Sequence, residues 1–205
     1  MKTNNFIRVK EKQIFNAKFI EKQIGNFRDK RVLYLGPGDG YYIDYLKMNY
    51  KCDLTCIDKN KKFSDDLNKK GIKCHNQDIL KIIPNYNKYF DIVFSFSFVQ
   101  YIKPIYLKQF NDLCRSYLKN ENSFALHLSI PNLTKFNKNI NYSYKHNLIN
   151  LRGYLIQLYY FYFKGNRFES KIESYWHDPA MIKKFEGTEI RTSDTSYRFQ
   201  YKLLK

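Results

Sequence analysis

Apolar and polar positions follow two alternating patterns between residues 31 and 130. Short apolar runs, typical of buried strands, alternate with segments whose apolar residues recur every three or four positions, as in helices. Strands alternating with helices at this spacing predict a parallel sheet with helices on both faces. The runs predict five strands, at residues 31–35, 52–58, 72–78, 90–98 and 123–130, with helices from about Tyr41, over the polar stretch before Gly71 and after Pro104.

The two ends of the chain extend this pattern. Residues 6–26 carry apolar residues at helical spacing, and the sequence after Tyr175 predicts a short helix and two closing strands. We therefore expect one α/β domain, Rossmann-like and doubly wound, with a mostly parallel seven-stranded sheet and an aromatic-rich insertion near the C-terminus. Its predicted parts are an N-terminal helical segment (1–30), a core (31–130), an insertion (131–170) and the closing elements (171–205).

Three glycines in five positions follow the first predicted strand, as Gly36-Pro37-Gly38-Asp39-Gly40. Ligands in open α/β sheets bind beyond the carboxyl ends of the strands, so this loop is a candidate binding site. The pattern is GxGxG, whereas a dinucleotide fingerprint has its third glycine one position later, where this chain has Tyr41. The chain also lacks the GK[ST] of a phosphate-binding loop.

Acidic residues end the second and third predicted strands. Asp58 lies 22 residues after Gly36, and Asp78 follows Gln77. A carboxylate suits a pair of neighbouring hydroxyls, because it accepts from both and donates to neither. The alternative that each acid is only a helix cap stays open.

In these features the chain resembles the class I S-adenosylmethionine-dependent methyltransferases, over Arg31 to Ile130. The resemblance implies S-adenosylmethionine as cofactor and S-adenosylhomocysteine as product. It also implies that the loop glycines approach the cofactor, that Asp58 holds the ribose and that Gln77 and Asp78 lie at the adenine. The fourth-strand motif, FDIVFSFSFVQYI from Phe90 to Ile102, would line the cofactor and acceptor pockets, with Ser95 among the cofactor-binding residues.

One departure from the family's pattern and one related family bear on this resemblance. The family usually has an acid two residues before the first glycine, where this chain has Tyr34, and Asp39 in the loop is one candidate to compensate. Aminopropyltransferases share the fold and often show GDG here. They carry an acid at the fourth-strand exit, however, whereas this chain has Ser95-Phe96-Ser97-Phe98.

The fourth-strand exit also bears on the acceptor. It lacks both the [DNS]PP[YFW] pattern that grips a flipped base and the Pro-Cys pair of pyrimidine C5 enzymes. It looks more like small-molecule O- or N-methyltransferases, which implies a small or sugar-like acceptor. Tyr101 and His177 are our candidate catalytic residues, with His177 as general base because imidazole titrates near neutral pH. The alternative that His177 caps the next helix or lies on the surface stays open.

The net charge of +17 raises the question of an anionic partner. Lysine dominates, with 28 residues against 8 arginines, and no basic block of five or six occurs. An RNA-directed methyltransferase is therefore an alternative rather than the favoured function. A non-catalytic methyltransferase-like binding subunit is a second alternative, which the missing acid at Tyr34 would explain.

The insertion predicted at 131–170 holds ten aromatic and six basic residues against one acid. It is predicted to cover an anionic or sugar-like acceptor, while a packed helix, a dimer contact and a peripheral membrane contact are alternatives. Four cysteines without a CxxC pair predict reduced thiols and no metal site, with disulfides or zinc as the lesser alternative. The N-terminus lacks a signal-peptide core and no apolar run reaches membrane-spanning length, so we expect a cytoplasmic protein.

Overall fold

The structure is a computed structural model of the 205-residue chain. The residues that it describes are 18, 21–23, 25, 27–38, 40–81, 85–135, 155, 158–159, 162–163, 167–169, 174–192 and 198–205.

A seven-stranded sheet forms the centre of the fold. Its strands are β1 (Arg31–Leu35), β2 (Asp53–Asp58), β3 (Lys73–Asn76), β4 (Ile92–Phe96), β5 (Phe124–Pro131), β8 (Thr188–Thr192) and β9 (Arg198–Leu204). They lie in the order β3-β2-β1-β4-β5-β9-β8. β1, β2 and β3 pair in parallel, while β9 pairs antiparallel with both β5 and β8. The predicted α/β fold with a mostly parallel seven-stranded sheet is confirmed.

The remaining elements lie between and after these strands. The helices are α1 (Tyr41–Asn49), α2 (Lys61–Lys69), α3 (Leu107–Tyr117) and α4 (Pro179–Ile182), and 3₁₀ turns occur at Val99–Tyr101, Pro104–Tyr106 and Leu133–Lys135. A separate antiparallel pair, β6 (Arg167–Glu169) with β7 (Ser174–Tyr175), had no counterpart in the sequence-based prediction. Its strands of three and two residues are too short to produce a readable alternation.

The chain divides into two compact units. The first comprises residues 1–94 and 117–123, and the second comprises residues 95–116 and 124–205. The core of the first unit contains the buried strand β1, and Phe94 packs there against both Phe27 and Tyr34. The core of the second unit contains the buried side chains of Phe110, His127, Trp176 and Tyr201.

Two predicted strands are shorter in the structure by at least three residues. β3 ends at Asn76: the N–H of Gln77 still donates to the carbonyl of Asp58, but Asp78 begins a turn, its carbonyl accepting from the N–H of Lys81. β4 begins at Ile92, and Phe90 forms only an isolated bridge with Leu118. Apolar patterning cannot distinguish a paired strand residue from a buried residue in the adjoining turn.

Helix ends are better predicted. Gly71 follows α2 in the left-handed conformation (φ +70°), as expected for its C-terminal cap. The short helix and two closing strands after Tyr175 are confirmed as α4, β8 and β9. Of the predicted N-terminal helix, residues 18 and 21–23 are helical, and most of that helix and of the 131–170 insertion lies outside the described residues.

Within the described part of the chain, no helix is both long and apolar enough to cross a bilayer. The four cysteines are free thiols, and Cys56, Cys74 and Cys114 are buried. The described residues contain no group of three or more metal-ligating side chains that could hold an ion.

Candidate cofactor site

The loop after β1 turns sharply because of its glycines. The N–H of Gly36 donates to the carbonyl of Ile57 at 2.9 Å, which continues the pairing of β1 with β2, and the N–H of Gly40 then donates to the carbonyl of Pro37 at 3.2 Å. Gly40 has a φ of +77° and directly precedes α1. A Cβ there would clash with Cδ2 of the buried Leu67, so any other residue at this position would have to displace that side chain of α2.

The surroundings of Gly38 are open, whereas those of Gly40 are crowded. The φ of Gly38, +60°, also favours glycine, but a Cβ built on it would meet no atom within 4 Å other than those of its two chain neighbours. The space beside Gly38 is therefore open, and a ligand can approach the loop backbone here. Asp39, the loop acid that was considered as a substitute for the missing one, lies outside the described residues.

Asp58 connects this loop to the end of β2. Its Oδ2 accepts from the N–H of Gly38 at 3.1 Å, and its Oδ1 accepts from the N–H of Asn60 at 2.8 Å. The side chain is half-buried. Each carboxylate oxygen can accept two hydrogen bonds, so both retain capacity for a hydroxyl donor. The carboxylate thus shapes the loop and can still bind a diol.

The end of β3 is hydrogen-bonded to the end of β2 at Asp58. The carbonyl of Asp58 accepts from the N–H of Gln77 at 3.1 Å and from Nδ2 of Asn76 at 3.2 Å. Asn76 also donates to the carbonyl of Lys59 at 3.0 Å, so its amide joins the ends of β2 and β3. Sequence analysis did not single out Asn76, because a lone asparagine at a strand end carries no pattern.

Gln77 and Asp78 lie directly after this junction. Oδ1 of the exposed Asp78 accepts from the N–H of Leu80 at 2.9 Å, and Nε2 of Gln77 donates to the carbonyl of Lys81 at 3.0 Å. Asp78 therefore caps a turn rather than a helix, and its side chain is exposed. The structure brings the loop glycines, Asp58, Gln77 and Asp78 to neighbouring strand ends within the first unit.

Tyr34 is part of the core rather than of this surface. Its side chain is 2% exposed and its ring stacks on Phe94, with centroids 4.3 Å apart and planes at 22°. A carboxylate at this position would have to lose its hydration in an aromatic environment, which carries a large cost. The aromatic pair explains how the chain accommodates tyrosine where the resembled family has an acid.

Ser95 lies in the second unit and is fully buried. Its Oγ forms a 2.9 Å hydrogen bond with Nδ1 of His127, which is also fully buried. Burial lowers the pKa of His127 to about 3, so the imidazole is neutral at physiological pH. The Ser95 hydroxyl therefore belongs to a buried pair, and the predicted cofactor contact by Ser95 stays a prediction.

His177, the proposed base, is 2% exposed. Its Nε2 lies 3.0 Å from the carbonyl of Val99, and since a carbonyl only accepts, Nε2 carries the proton. Burial, opposed by this hydrogen bond, lowers the His177 pKa to about 4. The structure therefore does not place His177 on the surface. It does not cap α4 either, since that cap is Asp178, whose Oδ1 accepts from the N–H of Ala180 at 2.9 Å.

Tyr101, the other predicted catalytic residue, is 39% exposed. It ends the 3₁₀ turn Val99–Tyr101, the turn whose first carbonyl accepts from His177. Its ring meets Phe98 edge to face, with centroids 6.3 Å apart. His177 and Tyr101 thus belong to one local arrangement within the second unit.

Residues that sequence analysis missed lie near this turn. Ser97 (φ +52°) and Ser129 (φ +62°) adopt left-handed conformations that are uncommon outside glycine. Arg198 donates through Nη1 to the carbonyl of Ser129 at 2.6 Å and to Oε1 of Gln100 at 3.1 Å. No single-sequence signal marks these positions, because serine fits ordinary strands as well.

Part of the chain matches a known protein family. The family described as "Methyltransferase domain" matches residues 33–126, which include the glycine loop and the ends of β1 to β4. No curated protein matches the sequence significantly.

Solved structures with the same fold align with nearly the whole chain. A SAM-dependent methyltransferase from Archaeoglobus fulgidus superposes with a TM-score of 0.63 at 16% identity, covering 98% of this chain and 99% of that one. An S-adenosylmethionine-dependent methyltransferase from Clostridium acetobutylicum gives 0.63 at 14% identity, covering 100% and 99%. The magnesium protoporphyrin IX methyltransferase from Synechocystis with bound SAH gives 0.58 at 12% identity, covering 96% and 82%.

Residues 33–126 match the methyltransferase domain family, and the whole chain has the Rossmann-like fold of these S-adenosylmethionine-dependent methyltransferases. S-adenosylmethionine fits the first unit's residues: its ribose diol matches the remaining acceptor capacity of Asp58, and the open space at Gly38 admits a ligand to the loop. The cofactor has no phosphates, so the absence of a phosphate-binding loop from the sequence is consistent with it.

Proposed function

We propose that this enzyme methylates an oxygen or nitrogen atom of a small-molecule or carbohydrate-like acceptor. The observation that carries the proposal is the fourth-strand exit, where the sequence SFSFVQYI lacks a base-gripping motif and contains the exposed ring of Tyr101. A partly exposed tyrosine offers an apolar face and a hydroxyl, which suits a small polar acceptor.

The cofactor, when bound, supplies a methyl group on a positively charged sulfur. Transfer breaks the bond between that carbon and sulfur, forms a bond to the acceptor atom and releases the acceptor's proton. Because such a methyl group is already electrophilic, correct positioning can supply much of the rate. We propose that Asp58 holds the ribose, that the Gly38 backbone, Gln77 and Asp78 border the cofactor, and that Tyr101 contacts the acceptor.

We further propose that His177 acts mainly as a positioning residue. Its Nε2 proton is already donated to the carbonyl of Val99, which leaves only Nδ1 to take a proton from an acceptor. A pKa of about 4 makes that nitrogen a weak base at neutral pH. The hydrogen bond fixes the turn that carries Tyr101, so His177 would affect catalysis through the placement of that ring.

The test of the acceptor class is a product assay. Purified enzyme is incubated with S-adenosylmethionine and pooled small hydroxylated or aminated compounds, and mass spectrometry looks for a gain of one methyl group. A methylated small molecule whose formation is slowed by Tyr101→Ala, with S-adenosylhomocysteine affinity retained, supports the proposal.

An RNA substrate is the second candidate, favoured by the net charge of +17. RNA methylation would contradict a small-molecule acceptor, and RNA affinity would then fall steeply with salt, because phosphate contacts release counterions. Methylation of RNA but of no pooled compound would decide for this candidate. Cofactor binding without any transfer would instead favour a binding subunit.

A further inference from the structure

Residues 155, 158, 159, 162 and 163 of the second unit are helical, and four of them form an exposed apolar face. Its members are Leu155, Tyr159, Tyr162 and Phe163, whose spacing of four, three and one places them on one side of a helix. Their exposed fractions are 57%, 48%, 66% and 76%. The rings of Tyr159 and Phe163 stack with centroids 5.7 Å apart, so two of these exposed side chains support each other.

The concentration of these residues is unusual for a protein surface. Among the described residues eight large hydrophobic side chains are exposed, and four of them lie on this one face. Single exposed apolar residues are ordinary, whereas a contiguous group marks a surface that binds something. Membrane contact was one of the alternatives for this segment, and the exposure of its apolar side chains now gives that alternative a structural basis.

Charge indicates the kind of partner. In the sequence, Arg152 precedes Leu155 by three positions and Lys164 directly follows Phe163. Residues 136–166 contain four basic residues and no acid, within a chain of net charge +17. An anionic surface would be attracted to this segment, whereas a second copy of the chain would bring another charge of +17 towards it. Charge complementarity therefore disfavours self-association through this face.

We propose that the face formed by Leu155, Tyr159, Tyr162 and Phe163 binds the surface of an anionic phospholipid bilayer. The apolar side chains would enter the boundary between headgroups and acyl chains, as those of interfacial amphipathic helices do. Tyrosine suits this depth, because its ring is apolar and its hydroxyl remains in the polar region. The flanking Arg152 and Lys164 would pair with lipid phosphates. This contact is peripheral and is independent of the acceptor that the enzyme methylates.

The test is flotation of the full chain with vesicles of phosphatidylcholine alone and with vesicles that also contain phosphatidylglycerol. We expect flotation with the anionic vesicles and much less with the neutral ones. Tyr162→Ser combined with Phe163→Ser should lower the partition coefficient at least about tenfold, since burying one aromatic side chain is worth at least that factor. Arg152→Gln and Lys164→Gln should each lower it about fivefold at low salt.

The matched control is Ile105→Ser, which removes a 77% exposed apolar side chain elsewhere in the second unit and should leave partitioning unchanged. Phe163→Trp supplies a positive signal: native Trp176 is 1% exposed, so a blue shift of the new indole's emission reports its transfer into lipid. Unchanged circular dichroism and S-adenosylhomocysteine affinity show that each variant is folded.

Three results would overturn the proposal. These are no flotation of the wild type, equal flotation of the double serine variant, or an unshifted emission of the Phe163→Trp variant with anionic vesicles. Concentration-dependent dimerisation that the double serine variant abolishes would assign the face to a second copy instead. RNA binding that the same variant abolishes would assign it to nucleic acid.

Discussion

At the scale of single residues, Asp58 combines a structural and a binding role. Its two carboxylate oxygens accept from the N–H groups of Gly38 and Asn60, and so hold the glycine loop against the end of β2. The same oxygens have lone pairs left for ribose hydroxyls. A carboxylate that is already fixed by two backbone donors loses little freedom when a ligand binds, which favours affinity.

Replacing Asp58 tests this dual role. Asp58→Ala should weaken S-adenosylhomocysteine binding by about 1–3 kcal/mol, because hydroxyl donors would lose their acceptor and the loop its anchor. Calorimetry measures the affinity. Asp65→Ala is the control, since it removes an exposed carboxylate of α2 that pairs with Lys61, and it should leave the affinity unchanged. Unaltered binding by Asp58→Ala would limit Asp58 to a structural cap.

Alanine substitutions at Gly40, which is crowded, and at Gly38, which is open, test whether the loop binds the cofactor. Gly40→Ala should destabilise the fold by about 2–4 kcal/mol, because left-handed strain adds to the clash with Leu67. Gly38→Ala should cost only the strain, about 1–2 kcal/mol, but should weaken S-adenosylhomocysteine binding at least about tenfold, since its methyl group enters the open space.

The control for Gly38→Ala is Gly25→Ala. Gly25 has a φ of +75° and likewise no atom within 4 Å of an added Cβ, but it does not belong to the loop. Chemical denaturation and calorimetry on the three variants separate stability from affinity. If Gly25→Ala and Gly38→Ala weakened binding equally, the space beside Gly38 would not be a ligand site.

At the scale of elements, His177 joins three segments of the second unit. Its ring donates to the carbonyl of Val99, its N–H donates to the carbonyl of Pro131 at 3.0 Å, and its carbonyl accepts from Leu133 at 2.9 Å. It therefore fixes the turn Val99–Tyr101 relative to the end of β5. This connection is the physical basis for treating His177 as a positioning residue.

The substitution His177→Gln distinguishes a positioning role of His177 from a role as general base. A Gln side chain can donate to the Val99 carbonyl through Nε2, but it cannot act as a base at neutral pH. If His177 positions the turn, His177→Gln should retain most of kcat, while His177→Ala should lose activity and stability together. If His177 is the base, both variants should lose about 10²–10⁴-fold in kcat. Steady-state rates with the identified acceptor distinguish the two.

At the scale of the whole molecule, two buried imidazoles make stability depend on pH. Burial lowers the pKa of His127 to about 3 and that of His177 to about 4, whereas both titrate near 6.5 in the unfolded chain. Between about pH 6.5 and 4 the unfolded state therefore binds protons that the native state does not. Stability is complete above about pH 6.5 and falls as the pH is lowered, by up to about 1.4 kcal/mol per pH unit for each imidazole.

His127→Asn measures the contribution of His127 alone to this pH dependence, because the asparagine amide does not titrate and can still hydrogen-bond to Ser95. Urea unfolding between about pH 7 and 4.5 should show a stability slope shallower than that of the wild type by about 1.4 kcal/mol per pH unit at most. His75→Gln is the control, since His75 is only half-buried and burial lowers its pKa less. A slope unchanged by His127→Asn would mean that His127 is protonated in the native state.

The sequence determined much of the molecule through local rules. Apolar runs indicated the strands, and glycine at positions 40 and 71 indicated turns because both need the left-handed conformation. The resemblance that implied the cofactor rests on local motifs as well, since the glycine loop and Asp58 lie at the ends of adjacent parallel strands. Parallel pairing brings such ends to the same edge of the sheet, so order along the chain predicts proximity there.

Other features were decided by tertiary structure alone. The Ser95 hydroxyl is turned to the core by its hydrogen bond with His127, which is 32 residues away. Which ring nitrogen of His177 carries the proton is set by the carbonyl of Val99, which is 78 residues away. The tyrosine at position 34 is accommodated because Phe94 lies against it. Burial and long-range hydrogen bonds have no periodicity along the chain, so the sequence could name these residues but not their surroundings.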